Sequence, residues 1–227
     1  MLGSIFGSFA NLLINRKINN ESIVRPQSHC DSCGHRLGPF DLIPILSFIF
    51  LRARCRYCKE RIPISNLIME ITSALLALLS FNQGQILKSI LVFTSLITGL
   101  IIAVIDLKTS YIYMGQVVFL SGLGLVYRVL YLKFDKDFIL ITLIFILVYW
   151  LIYHLSKGGL GDGDIYYYLA LFLFLPSESI LYFILISIWL GALAGLIIAY
   201  KEKSLKVEMP FCIYIFLSFI ISFGVLG

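Results

Sequence analysis

Charge is what this chain has least of: Asp, Glu, Lys and Arg make up 14% of its 227 residues, hydrophobic residues make up 59%, and the mean hydropathy is +0.94. Such a shortage excludes a soluble domain of ordinary composition, whose surface needs about a quarter of its residues charged. A secretory signal is missing as well. The first apolar stretch has no basic segment before it, and Asn15, Arg16 and Lys17 follow it in place of a small-residue cleavage site, so it is kept as a helix. Cysteine is sparse too, with five residues, four of them in two close pairs.

The solvent implied by this composition is lipid. A bilayer core of about 30 Å takes about 20 apolar residues per helix, and apolar stretches recur near residues 2–15, 66–82, 86–105, 111–132, 138–155, 165–176, 179–199 and 210–226. The expected fold is therefore an all-α polytopic membrane protein of about eight transmembrane helices. Lys and Arg set its orientation, because short basic loops stay in the cytoplasm. With the N-terminus outside, the inner segments 16–65, 106–110, 156–164 and 200–209 hold nine, one, one and three of the 18 basic residues. Lys88, Arg128, Lys133 and Lys136 fall on the outer side, and the inverted topology would reverse the ratio. The net charge of +5 is then a topology signal and an attraction to anionic membrane lipids, with no need for nucleic acid.

The cytoplasmic loop after the first helix carries Cys30-x-x-Cys33 and Cys55-x-x-Cys58. Two such knuckles can turn four thiolates toward one metal, so the loop is expected to hold a structural zinc ion. Disulfides are the rival reading, disfavoured by a reducing cytosol. His29 and His35 flank the first knuckle and could replace a cysteine. The run 42–51 is apolar but too short to cross a bilayer, and reads as a re-entrant or interfacial segment or as a small core beneath the metal. Cys212, in the last span, reads most simply as a small buried hydrophobe.

Acids within spans are costly, about 2.5–3.5 kcal/mol at a helix centre, and are usually functional. Glu70, Asp106 and Asp164 stand out. Asp106 closes a long apolar run, and Asp164 ends the glycine-rich segment 157–164 before another, so both fall at the same cytoplasmic depth. Two carboxyl groups at one depth suit aspartic-peptidase chemistry, in which one takes a proton from water and the other polarises the scissile carbonyl. At about 4 Å and an effective dielectric of about 20 they repel by about 4 kcal/mol, enough to keep one protonated near neutrality. Gly158, Gly159, Gly161 and Gly163 are expected to let the backbone turn and to leave room for an extended substrate. The Tyr166–Tyr168 run, Trp150, Trp189 and His154 read as interfacial residues, and the G-x-x-x-G at Gly191 and Gly195 as a site of close helix packing.

These residues together resemble the type IV prepilin leader peptidases, membrane aspartic peptidases of the G-x-G-D class. The resemblance rests on G7-S-F-A-N11 with Arg16, the segment from Pro26 to Arg61, Glu70, I105-D-L-K108 and G159-L-G-D-G-D164. The family pattern selects Asp164, not Asp162, as the second catalytic acid. The chain departs from that pattern at Tyr166, where a lysine is usual, and at Tyr113 and Met114, where a Pro-Asp or similar pair is usual.

The resemblance implies an N-terminal part, 1–85, with the zinc loop and the methyltransferase-like portion of the family, and a peptidase core, 86–227. It implies a bacterial cytoplasmic-membrane enzyme with catalytic Asp106 and Asp164, Gly159, Gly161 and Gly163 supporting them, and zinc on Cys30, Cys33, Cys55 and Cys58. Its substrates would be prepilins or pseudopilins, cut on the cytoplasmic side between the basic leader and the hydrophobic N-terminal helix, after a glycine. Many members then methylate the new N-terminus with S-adenosylmethionine, for which Glu70 is the candidate residue. No strand, glycine-rich turn and helix that would cradle a dinucleotide-like ligand accompanies it. A proton-coupled transporter and a non-catalytic zinc-stabilised adaptor are the alternatives, the first disfavoured because its acids belong at the bilayer midplane.

Overall fold

The computed structural model describes residues 1–22, 28–81, 84–155, 161–203 and 209–226. Gly158 and Gly159, with Lys157 and Pro26, lie outside the described residues. The described residues form nine α-helices and no strand: α1 Leu2–Ile18, α2 Leu46–Phe50, α3 Ile64–Phe81, α4 Ile86–Thr109, α5 Met114–Tyr131, α6 Lys136–Leu155, α7 Asp162–Phe172, α8 Ser177–Glu202 and α9 Cys212–Leu226. Helix is the outcome expected for apolar chain in lipid, where each backbone N–H and C=O must find its partner within the segment.

Every apolar stretch read from the sequence is helical, but the helices are not alike. Five among the described residues, α3, α4, α5, α6 and α8, are long and apolar enough to cross a membrane. Of the other four, α1, α7 and α9 have 17, 11 and 15 residues and α2 has five. Eleven residues rise only about 16 Å, so α7 falls well short of a bilayer core. It ends at Phe172, four residues before Pro176, which stands at the N-cap position of α8.

Met1–Ile97 and Thr98–Gly227 are two compact units, the boundary lying within α4. In the first, α1 lies against α3. The small residues of α1 allow a close approach: a Cβ on Gly3 would sit 2.7 Å from the Ser73 carbonyl oxygen, and one on Gly7 would sit 2.6 Å from that of Met69. Gly7→Leu is therefore expected to force the pair apart and lower the melting temperature in detergent, with Gly7→Ala intermediate.

In the second unit α7 is the centre, packed against α5, α6 and α9. The tyrosine run divides, contrary to the interfacial expectation. Tyr166 is exposed, whereas Tyr167 and Tyr168 are buried. Tyr167 donates its hydroxyl to the Gly99 carbonyl of α4 at 3.0 Å, and Tyr168 shares a hydrogen bond with Ser187 of α8. Trp150, Trp189 and His154 remain exposed, His154 edge-on to the Trp150 ring.

Arg128, counted as an outer-side charge, is among the largest fully buried side chains of the described residues. Its guanidinium donates to the Phe172 and Leu175 carbonyls at 3.3 and 2.9 Å, satisfying the open C-terminal end of α7, and lies over the Phe138 ring at 3.4 Å. Arg128→Met keeps the bulk and leaves those carbonyls without that donor, so it should destabilise the chain by about 1–3 kcal/mol, read as a lower unfolding midpoint.

Candidate active site

The structure brings Asp106 and Asp164 together. Asp106 sits in the last turn of α4 and Asp164 in the first turn of α7, and their side chains converge on the start of α9. The backbone N–H of Cys212 donates to Asp106 Oδ2 at 3.1 Å, and the Cys212 thiol donates to Asp164 Oδ1 at 3.4 Å. Asp106 is 5% exposed and Asp164 7%. Cys212, 106 residues from the first acid and 48 from the second, was not legible as part of this group.

Gly161 serves the site through space and not through backbone freedom. Its φ of −69° is open to any residue, but a Cβ there would meet Asp164 Oδ2 at 2.9 Å. Tyr149 of α6 fixes this turn by donating its hydroxyl to the Gly161 carbonyl at 2.8 Å. At Gly163 a Cβ would press on Ile112 at 2.6 Å. Helix α7 already begins at Asp162, one turn earlier than the expected apolar run, so Asp162 and Gly163 belong to the helix that carries Asp164.

The four knuckle cysteines also meet. Their sulfur atoms lie within 4.8 Å of one another, with Cys30 and Cys58 3.8 Å apart. A tetrahedral zinc with bonds of about 2.3 Å separates its sulfurs by about 3.8 Å, so the donor set fits that ion. The cysteines are not in disulfides. Both knuckles use the same turn: the Cys30 amide bonds the His35 carbonyl and the Gly34 amide the Cys30 carbonyl, and Cys55 relates likewise to Glu60 and Lys59. Amides of Cys58 and Tyr57 hold the Cys55 thiol down at about 7. At Cys58 the Glu60 amide pulls the same way, but desolvation and the three neighbouring thiols push it up to about 12. A divalent cation relieves that crowding by taking all four as thiolates. His35 stacks on Tyr57, ring centroids 3.6 Å apart, and the four-sulfur cluster needs neither flanking histidine.

The equivalent turn positions Gly34 and Lys59 have φ of +69° and +63°. Lys59 accepts a left-handed backbone that costs a side-chain-bearing residue about 1 kcal/mol. Lys59→Gly is accordingly expected to stabilise the loop by about that amount, measured as slower loss of zinc to a chelator.

The run 42–51 follows a 3₁₀ turn at Pro39–Leu42 and forms α2, with none of its residues buried and Phe50 80% exposed. The reading of a small core beneath the metal is thus not realised. Ile45, just before α2, has a φ of +64°, strained for a β-branched residue. Its amide donates to Glu70 Oε2 at 2.7 Å, so buried Glu70 anchors this turn to α3. Asp41 anchors the other side, accepting from Arg56 Nε at 2.6 Å, the Gly38 amide and the Tyr57 hydroxyl.

A bundle of apolar helices that buries two aspartates on one shared residue, together with a four-thiol loop, defines a multi-pass membrane protein with a paired-acid site. Residues 1–83 match the Bacterial Peptidase A24 N-terminal domain, and residues 90–196 match the Type IV leader peptidase family. The chain is 32% identical to a prepilin leader peptidase/N-methyltransferase of Myxococcus xanthus, over 87% of its own length and 61% of that protein's. Proteins of the same description from Pseudomonas putida and Bacillus subtilis are 26% and 29% identical, over 95% and 86% of this chain and 85% and 79% of theirs. No solved structure matches the chain. The chain belongs to the type IV leader peptidase family. It spans less than two thirds of the Myxococcus relative and more than three quarters of the other two.

Proposed function

We propose that this chain is an intramembrane aspartic endopeptidase that removes the basic leader of type IV prepilin-like proteins at the cytoplasmic membrane face, cutting after a glycine and before the hydrophobic helix. The observation that carries this reading is the meeting of Asp106 and Asp164, buried and joined through Cys212. One carboxylate takes a proton from the attacking water while the other, protonated, hydrogen-bonds the scissile carbonyl, and the proton later passes to the leaving amine. The two act as one titrating unit, so neither is assigned as the acid. Gly161, free of a side chain beside Asp164 Oδ2, leaves room there for an extended substrate backbone. Gly159 and Gly163 belong to the same supporting segment. With about eight spans and the N-terminus outside, the orientation read from the basic residues, these acids would lie on the side where a basic leader remains after synthesis.

The zinc loop is structural in this reading: Cys30, Cys33, Cys55 and Cys58 would hold the ion with no position open for substrate. The relatives' names join the peptidase to an N-methyltransferase, and we carry that second activity, with S-adenosylmethionine as donor, to residues 1–85 as a proposal. The surroundings of Glu70 do not identify a cradle for that donor. One of its oxygens is committed to the Ile45 amide, and on the same helix the Met69 carbonyl and Ser73 are packed closely against Gly7, so no step is derived through the cofactor. If Glu70 serves methylation, Glu70→Gln loses transfer of labelled methyl while leader cleavage continues. Loss of both, with a lower melting temperature, would make Glu70 a purely structural anchor.

The test of the main reading is co-expression with a prepilin-like substrate. Wild type should shorten the substrate on a gel, and Asp164→Asn should leave it full-length. A transporter or adaptor would leave the substrate full-length in both.

A further inference from the structure

We propose that Cys212 is the positioning residue of the acid pair, an inference that rests on the paired-acid reading above and extends it to a residue that reading does not require. Its two donors reach both acids: the backbone N–H holds Asp106 Oδ2 at 3.1 Å and the thiol, which also lies near Asp106, holds Asp164 Oδ1 at 3.4 Å. Each bond commits one oxygen of its carboxyl group. The oxygens left for water and substrate are then Asp106 Oδ1 and Asp164 Oδ2, and the second of these faces the gap at Gly161.

The amide is one of the free N–H groups that open every helix, here the first of α9, and a carboxylate is its natural acceptor. The thiol adds what an amide cannot, a side-chain donor aimed at the other acid.

The placement of Cys212 is itself built. Helix α8 carries glycine at 191, where an added Cβ would overlap the ring of Phe211, the residue before Cys212. The small residue therefore seats Phe211, and with it the first turn of α9, against α8. This gives Gly191 a packing role inside the chain. Cys212 is fully buried, and Ile215, Phe216 and Phe219 on the same helix are buried behind it.

A residue that only fills space could be replaced by another small apolar side chain without kinetic effect. A positioning thiol could not. The experiment compares wild type, Cys212→Ala, Cys212→Ser and Asp164→Asn as purified full-length chains in lipid nanodiscs, with a synthetic prepilin-like peptide. It measures kcat, KM and the pH dependence of kcat, with melting temperature beside them. The expected result is a kcat about tenfold lower for Cys212→Ala, an unchanged KM, and a displaced pH profile. Cys212→Ser, which restores a donor at the same place, should return kcat to within about twofold and recover the wild-type profile. A Cys212→Ala enzyme with wild-type kcat and pH profile, measured beside an inactive Asp164→Asn, would overturn the proposal and leave the acid pair standing. So would a loss of activity in both Cys212 variants that tracks a fall in melting temperature. Retained activity in Asp164→Asn would instead remove the paired-acid reading on which the proposal rests.

Discussion

Asp106→Asn and Asp164→Asn should each lower the rate of leader cleavage by about 10³-fold or more, and the double variant should be no slower than either single one. The second half of this expectation is the more informative. Two acids that act as one unit cannot lose their contributions separately, because each needs the other in the opposite protonation state. Independent roles, such as one acid catalysing and the other only binding a basic leader, would give effects that add. The geometry favours the unit: both side chains are buried, and both end on Cys212. Asparagine is nearly isosteric and can still accept the Cys212 amide or thiol, so neither single variant should lose its fold. Unchanged melting temperatures would attribute the loss to chemistry. Additive losses, or a single variant at the normal rate, would contradict a dyad.

The second large effect concerns the loop. Cys55→Ser should lower zinc affinity by at least about 100-fold and leave the purified protein with less than one zinc per chain. Cys30→Ser should do the same from the other knuckle. The sulfurs already stand at the spacing of a tetrahedral site, and the backbone on each side is pinned by paired turn hydrogen bonds. Removing one ligand leaves three thiols with nothing to offset their crowding. The 28–61 region carries few buried side chains of its own, so loss of the ion should appear as faster proteolysis of the loop. Full zinc occupancy and wild-type proteolysis in both variants would refute the four-cysteine site.

How much of this was legible in the sequence depends on whether the signal is local. The four cysteines come as two C-x-x-C pairs, and their convergence followed from spacing alone. The acids were legible because lipid makes any carboxylate conspicuous. Cys212 was not, since an apolar helix absorbs a cysteine without contrast, and its partners lie 48 and 106 residues away. Arg128 was visible as a charge, but its task of closing α7 depends on carbonyls 44 and 47 residues on. Burial inside the bundle was also hidden. Helices α4 and α6 are almost equally apolar, yet 72% of the most apolar window is buried in α4 and 11% in α6. Hydropathy rewards contact with lipid and contact with protein alike, so it separates neither. The same blindness assigned Tyr167 and Tyr168 to an interface: a tyrosine fits a lipid boundary or a core where its hydroxyl finds a partner, and only the fold supplied Gly99 and Ser187.

The most direct measurement is mass spectrometry of a purified prepilin-like substrate after incubation with the purified full-length chain in lipid, beside its Asp106→Asn and Asp164→Asn variants. The wild type should yield two product masses, corresponding to a single cut after the leader's glycine, and both variants should leave the substrate intact. Intact substrate from the wild type, a cut elsewhere, or the same products from either variant would contradict it.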